Sequence, residues 1–344
     1  MMSSELTDSI TIIYPEISTS GGTKTYVTNF LKGIDRTGLS YRKIPIKKSE
    51  ISFAGKPMLG FLSQYISSYL KKSETAVSHS LSPGSIVRGT NLVTLHDVLP
   101  FLNRDIYLKS YLQKTSFNLT MRRVLGTQYL TLSSYTSRKQ FLSYVDIDES
   151  RLFVVPHAID HDLFYPMKDE QKFPPNKINV VMVSDYNPRK RIDIAVKSLS
   201  NDPDIEFYHI GPNNAWTNIR NRLQNLRAGA KNIHFLGEMD IKSIRSYISS
   251  ADFFLFLTDN EGFGLPPLEA LACGTNVIVS DLEIFHETMG DVANYVKNEN
   301  FSSTLVKKLL SHKKKKEELV SQSMKYSIDS LALNSLKVYK KIIE

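Results

Sequence analysis

The sequence predicts an α/β chain built from two successive doubly wound parallel-sheet domains. Its 344 residues exceed the roughly 250–300 at which a single hydrophobic core stops growing. Short apolar runs alternate with longer segments of helical period, the layout of parallel βα units. That alternation breaks once, at Leu163 to Lys177 (LFYPMKDEQKFPPNK), which holds three prolines and no steady period, and then restarts, as expected of a linker between domains.

Ser9 to Tyr14 (SITIIY) reads as the first strand and leads into Ser20-Gly21-Gly22. Thr25 to Ile34 reads as a helix, with Tyr26, Phe30 and Ile34 four residues apart and so on one face. Asn91 to Leu95 is a buried strand ending at His96-Asp97, and Gln128 to Leu132 another, followed by Ser133-Ser134 and a helix through Phe141. Leu152 to Val155 is stopped by Pro156. Beyond the expected linker, Ile178 to Val183, Ile205 to Ile210, Asn232 to Phe235, Asp252 to Leu257 and Asn276 to Val279 read as strands. Ile192 to Leu199, Ile241 to Ser249 and Pro266 to Cys273 read as the intervening helices. Leu305 to Ile343 is expected to be a helical stretch long enough to close the second domain and reach back to the first. The expected division is 1–165, 166–325 and a returning C-terminal helix at 326–344.

With 41% hydrophobic and 23% charged residues, the composition is that of an ordinary globular protein. The single cysteine, Cys273, excludes an intramolecular disulfide framework and a cysteine-rich zinc site, and it reads as a small core residue. No apolar run approaches the roughly 20 residues that span a bilayer. Met1 to Ser9 carries Glu5 and Asp8 rather than a signal peptide's basic-then-apolar layout, so a cytoplasmic location is expected. The net charge of +8 is uneven: residues 1–165 hold 19 basic against 13 acidic side chains, the remainder 24 against 22. A basic first half suits an anionic partner, such as a phosphorylated acceptor or a membrane surface, or is simply a solvated face. No helix-turn-helix, zinc or aromatic-platform motif supports nucleic-acid binding.

In open parallel sheets, ligands bind beyond the carboxyl ends of the strands, where loops feed helix N-termini. The most informative such loop lies within Asp252 to Asp281. Strand, loop, helix, glycine stop and strand follow there in order, one βαβ unit. Pro266 and Pro267 suit the first helical positions and Gly274 the C-terminal cap. Gly262 and Gly264 let the backbone approach a ligand closely, and the helix start offers N–H groups and a dipole to an anion. Glu261 precedes the helix and Glu269 lies on it, eight positions on. On the residues alone two accounts stand: both carboxylates hold hydroxyls in one cleft, or Glu269 merely complements the helix start and Glu261 is solvated.

The segment Glu261-Gly262-Phe263-Gly264-Leu265-Pro266-Pro267-Leu268-Glu269 resembles the E-x7-E signature of GT4-type retaining glycosyltransferases. Other stretches are similar to that family in the same order. They are Ser20-Gly21-Gly22 with Tyr26, Leu95-His96-Asp97 with Pro100, Ser133-Ser134 with Ser137-Arg138, Val155 to Asp160, and Asn232 to Gly237. The resemblance implies a GT-B fold of two facing Rossmann-like domains, with a nucleotide-sugar donor on the second and a glycan or lipid-linked acceptor on the first. It implies that Glu269 binds the ribose hydroxyls, that Glu261 lies near the donor sugar, and that Phe263, Gly264 and Leu265 offer N–H groups to sugar and phosphate. Lys190 would neutralise the diphosphate, Gly22 would approach it from the first domain, and His96 would lie on the catalytic face of the sugar. Gly211, Gly262 and Leu236 would complete the donor site, the last near the base. Family members usually pair an arginine with the lysine. Here Ser184-Asp185 stands at its place, so Arg189 or Arg191 is expected to supply the second cation. A front-face transfer needing neither metal nor cofactor is what the resemblance implies. A sugar-nucleotide epimerase or a non-catalytic nucleotide-sugar binding protein on the same fold are the alternatives.

The other histidines, His157 and His161 included, show no metal-ligand spacing and are expected to be structural, with His157 near the hinge. Trp216 is expected to pack. Lys313 to Lys316 reads as a solvated helix face, and Phe61 to Leu70 followed by Lys71-Lys72 as an amphipathic stretch that packs on the sheet or touches a membrane.

Overall fold

The computed structural model describes residues 9–16, 21–47, 67–102, 108, 110–167, 173–212, 217–227 and 229–344. Residues 61–66 of the amphipathic stretch, Ser20, Trp216 and the N-terminal residues 1–8 lie outside that set. The chain divides into two units, one of residues up to Ala158 together with Ile328–Glu344, the other Ile159–Ser327.

The first unit is a six-stranded sheet in the order β2-β1-β3-β4-β5-β6, parallel throughout. Its strands are β1 (Ile10–Glu16), β2 (Arg42–Lys47), β3 (Val77–Ser80), β4 (Leu92–Leu95), β5 (Tyr129–Leu132) and β6 (Leu152–Val154). Strands β1 and β4 are apolar and buried on both faces, as a covered parallel sheet requires. Pro45 confines β2 to an edge, where it pairs with β1 alone. Helix α1 (Gly22–Arg36) lays Tyr26, Phe30 and Ile34 on the sheet. Helix α2 (Tyr111–Leu125) begins at a capping box of Ser110 and Gln113 and buries Met121 and Val124. Helix α3 (Tyr135–Leu142) is capped by Ser134.

The second unit has the order β12-β11-β10-β7-β8-β9, again all parallel. Its strands are β7 (Ile178–Val183), β8 (Ile205–Ile210), β9 (Ile233–Gly237), β10 (Phe253–Phe256), β11 (Asn276–Ser280) and β12 (Asn294–Val296). Counted from β7, this is 3-2-1-4-5-6 read from its far edge, the order of two mononucleotide-binding halves, with its reversal between β7 and β10. Helices α4 (Ile192–Leu199), α5 (Thr217–Leu226), α6 (Ile241–Ser250), α7 (Leu265–Ala272), α8 (Glu283–Met289), α9 (Ser303–Leu309) and α10 (Lys316–Met324) complete it. Cys273 is buried in its core.

Two expectations are corrected. The described ends of the proline-rich segment belong to the second unit: the division falls between Ala158 and Ile159 rather than at 165/166. Phe164 and Phe173 are buried in the second unit's core, and the N–H groups of Leu163 and Phe164 bond back to the Asp160 carbonyl. The final helical stretch is broken. Lys313–Lys315 is non-helical, because the Asn276 side chain accepts from the Lys314 N–H (2.8 Å) and Lys313 pairs with Asp252 (2.7 Å). Only Lys316 of that run is helical. The last helix, α11 (Ile328–Ile343), then packs on α1. Gly33 permits the approach, since a Cβ there would lie 2.8 Å from the Ile328 carbonyl oxygen.

Candidate active site

The reversal between β7 and β10 places two loops side by side. After β7 the chain turns through Asp185 and Asn187. The Asn187 side chain accepts from the Arg189 N–H (3.1 Å), and a short turn over Pro188–Lys190 follows. Arg191 then takes a left-handed conformation (φ +46°) and starts α4. After β10, the Thr258 N–H donates to Ser280 Oγ (2.7 Å) and the Asp259 N–H to the Arg189 carbonyl (2.8 Å), which ties the loops together.

Three expected site residues meet there. Glu261 Oε2 accepts from Arg189 Nη1 at 2.9 Å and from Lys190 Nζ at 2.5 Å. The Lys190 side chain is 8% exposed and that of Glu261 13%. The ammonium of Lys190 also lies over the Phe256 ring, 4.2 Å from its centre. Burial pushes the Glu261 carboxyl up, but the Lys190 ammonium and the Arg189 guanidinium outweigh it and hold its pKa at about 2. Burial lowers the Lys190 pKa, with Glu261 opposing and the Arg189 charge adding to the shift. Two cations thus share the Glu261 carboxylate, and the Asp185 charge also acts on Lys190. Arg191 instead pairs with Asp259 (3.0 Å) and Asp193 (3.3 Å). Asp185 turns back to the Asn187 N–H (3.4 Å).

The next residues build a helix start. Gly264, at φ +91°, has no room for a side chain, since a Cβ would meet the Phe285 ring at 2.7 Å. No side chain caps the end of α7, and Pro266 and Pro267 bring no N–H, so the backbone of Gly264 and Leu265 faces the helix's positive pole. Glu269, one turn further on, is partly buried. Unlike Glu261 it has no salt bridge or hydrogen-bond partner among the described residues, and burial pushes its carboxyl up to about 7. A carboxylate without a counter-charge in such a place is suited to hydroxyl donors. Gly211, at the end of β8, presses on the Ser184 carbonyl, where a Cβ would lie at 1.8 Å. Its N–H donates to the Gly237 carbonyl (2.9 Å), beside Leu236, which packs partly buried on the core.

Gly22 and His96 belong to the first unit. Gly22 opens α1 with nothing within 4 Å of a Cβ built on it. His96 leaves the end of β4. Its Nδ1 faces His157 Nε2 at 3.5 Å, its Nε2 is buried with no side-chain partner among the described residues, and the Leu81 backbone bonds the ring. The Tyr26 ring packs edge-on to His96 and tilted to His157, with centres 4.8 and 4.7 Å away. Tyr26 Oη shares a hydrogen bond with Thr94 (3.2 Å), which also contacts His79 (2.8 Å). Burial lowers the His96 pKa to about 4 and that of His157 well below its ordinary value. His157 as a neighbour of His96 was not expected from sequence. Among the described residues no cluster of three or more His, Cys, Asp or Glu could hold a metal ion, and no helix is long and apolar enough to cross a membrane.

The sequence model of the family described as glycosyl transferases group 1 matches residues 166–326. The chain is 26% identical over 207 residues to the O-antigen chain mannosyltransferase RfbU of Salmonella typhimurium, covering 59% of this chain and 56% of that protein. It is 29% identical over 143 residues to the phosphatidyl-myo-inositol mannosyltransferase of Mycobacterium tuberculosis, covering 40% of this chain and 37% of that one. The chain thus spans about half or less of the length of these relatives. Among solved structures, sucrose-phosphate synthase of Thermosynechococcus elongatus superposes with a TM-score of 0.78 at 16% identity, covering 96% of this chain and 98% of that one. HepE of Anabaena, in complex with UDP-glucose, gives 0.71 at 12% identity, covering 96% and 99%. Likeness at that level of identity establishes the fold, which is GT-B.

Proposed function

Through residues 166–326 this chain belongs to the group 1 glycosyltransferases, and on that premise we propose that it is a retaining, GT4-type enzyme that moves a hexose from a nucleoside diphosphate sugar to a glycan or lipid-linked acceptor. The observation that carries the reading is the Arg189–Lys190–Glu261 cluster at the sheet reversal, next to the uncapped start of α7. A diphosphate leaving group develops negative charge as the glycosidic bond breaks. Preorganised cations and N–H groups in a dry site stabilise that charge more than they stabilise the ground state. Lys190 and Arg189 take the diphosphate, the latter filling the place of the arginine that Asp185 cannot serve. The N–H groups of Gly264 and Leu265 face the same anion, with Gly262 and Phe263 shaping the loop.

Glu269 accepts from the vicinal hydroxyls of the ribose, which its lack of a partner among the described residues supports. Glu261, released in part from its cations by the incoming phosphates, turns to hydroxyls of the sugar. Gly211 and Leu236 border the base, and the family resemblance assigns Gly22 and His96 of the first unit to the donor as well. The leaving phosphate accepts the acceptor's proton on the same face, so configuration is retained, and this chain's cations carry the charge without a metal. The mannosyltransferase names among the relatives and the UDP-glucose complex of a structural neighbour support a nucleotide-activated hexose. Action on the cytoplasmic side, at the surface of a membrane that carries the acceptor, fits the basic first half.

The test is release of free nucleotide from UDP-, GDP- and ADP-hexoses, with a mixed glycolipid extract as acceptor and Glu269→Ala as control. Release from one donor, lost in the variant, is expected. Binding of a donor with no release under any acceptor would instead indicate a binding protein on this fold.

A further inference from the structure

A second cross-loop pair borders the cluster of Arg189, Lys190 and Glu261 in the second unit. Arg191 follows Lys190 in the chain, Asp259 stands two places before Glu261, and Arg191 Nη1 reaches Asp259 Oδ1 at 3.0 Å. Arg191 also forks onto Asp193, Nε to Oδ1 at 3.3 Å and Nη2 to Oδ2 at 3.5 Å. Asn298 Nδ2 donates both to Asp259 Oδ1 (3.2 Å) and to the Thr258 carbonyl (3.2 Å). Ser280 Oγ donates to Asn298 Oδ1 (2.6 Å) and accepts from the Thr258 N–H (2.7 Å). The loops after β7 and β10 are thereby tied to the end of β11 and to the turn at Asn298.

Among the described residues three that are not glycine have positive φ. Two are asparagines, Asn176 and Asn201, and the third is Arg191 at +46°. Asparagine tolerates that conformation and glycine takes it freely, whereas a long side chain adopts it at a cost. What arginine supplies there that glycine could not is a guanidinium that reaches Asp259 on the other loop.

A ligand treats the two cross-loop pairs differently. A diphosphate held by Lys190 and Arg189 competes with Glu261 for the same charges and loosens the inner pair. The outer pair uses none of those three side chains, and Arg191 is already shared by two carboxylates. We propose that Arg191 is a positioning residue: its bond to Asp259 keeps the Lys190 loop against the Glu261 loop once phosphate has drawn the inner cations away from Glu261. The inference rests on the reading of Arg189 and Lys190 as the diphosphate's cations, while the tie itself lies wholly within the second unit.

The experiment titrates inorganic pyrophosphate into the full chain by calorimetry at constant ionic strength and follows hydrogen exchange with and without it. Arg191→Gln combined with Asp259→Asn removes both charges together, so the net charge beside the cluster is unchanged. The double variant should bind pyrophosphate on the order of tenfold more weakly than the wild type. In its bound state the Asp259 amide, which donates to the Arg189 carbonyl (2.8 Å), should exchange faster. Arg191→Lys, which keeps a cation facing Asp259, should recover most of both effects. The Tm should move little in either variant, because the pair is partly exposed. A double variant that binds as tightly as the wild type would overturn the proposal and leave a surface ion pair. Weaker binding with an unaltered amide would overturn it as well, making Arg191 a direct phosphate contact. A wild type that binds no pyrophosphate refutes the diphosphate reading instead. The tie is then read in Glu261→Ala without ligand, where the inner pair is absent: the same double substitution should speed the Asp259 amide, and no change there would overturn it.

Discussion

Acidification should open the first unit before the second, because of where the buried imidazoles lie. His79 holds both ring nitrogens in the core, on Tyr339 (2.7 Å) and Thr94 (2.8 Å), and burial pushes its pKa to about 3. His96 is lowered to about 4, and His157 well below its ordinary value. For each, the folded pKa lies below the unfolded value of about 6.5, so the unfolded chain binds protons first and stability falls as pH drops below 6.5. Between pH 7 and 5, His79 and His96 kept neutral by folding each cost about 2 kcal/mol, and His157 adds a loss of the same sign. The sum is comparable to the whole stability of many domains.

In the second unit His209, lowered to about 3 by burial, costs the same, and His161 adds a smaller loss of the same sign. Glu269 acts oppositely: with its pKa raised to about 7, the folded state takes up the extra proton, and stability rises by about 2 kcal/mol over the same interval. The carboxyl of Glu261, held at about 2, begins to lose its contribution only below about pH 4.5. Hydrogen exchange at pH 7 and pH 5, with labelling times scaled for the chemical exchange rate, reads the two units separately. Protection should collapse in β1, β4 and β5 at pH 5 while β7, β10 and β11 keep theirs, and His157→Phe should recover part of the loss. Opening of the second unit first, or of both by equal amounts, would refute the reasoning.

Three further outcomes follow from the candidate site. Glu269→Gln removes a carboxylate that is ionised at pH 8 against its surroundings, so the second unit should gain about 1–3 kcal/mol at pH 8 and little at pH 5.5 while nucleotide release is lost; chemical denaturation at both pH values checks it. Glu261→Ala leaves Lys190 and Arg189 adjacent with that carboxylate gone and should cost about 3–5 kcal/mol. Inorganic pyrophosphate should raise the Tm of that variant more than that of the wild type, and an equal rise would mean that the cations do not bind phosphate. Gly264→Ala forces a Cβ against the Phe285 ring at φ +91° and should cost about 1–3 kcal/mol, read as a drop in Tm together with weakened donor binding.

What the sequence disclosed of the fold follows from how each strand is buried. The runs in β1, β4, β7, β8, β10 and β11 are apolar enough to be covered on both faces, and each stands out from its neighbours. Strand β3 (VSHS) is buried on both faces as well, yet its polarity hides it. Ser78 bonds Ser73 (2.6 Å) and His79 bonds Thr94 and Tyr339, partners scattered over 260 positions that no local window reveals. Strand β2, with Pro45 and three basic residues, carries an edge strand's composition, and β12 is three residues long. The proline-rich segment misled for the converse reason: two phenylalanines among its polar residues decide its place by burying themselves, and spacing does not announce that.

The site divides along the same line. The block from Glu261 to Glu269 is legible because its turn, helix start and both carboxylates lie within nine consecutive residues, where local chemistry dictates local geometry. The pairing of Glu261 with Lys190 spans 71 positions and depends on the strand order. Yet it could have been derived. Once six βα units are arranged as 3-2-1-4-5-6, the first and fourth strands must be neighbours, and the loops that leave their carboxyl ends must meet. Those are the loops of Lys190 and Glu261, so opposite charges on them are forced into one pocket by topology. No such rule existed for His157. Its strand, β6, lies at the sheet edge, two places from β4, and only the path of the chain after Val154 returns the imidazole to His96. That return depends on packing around Tyr26 rather than on pairing, and packing at that distance is where reading from sequence stops.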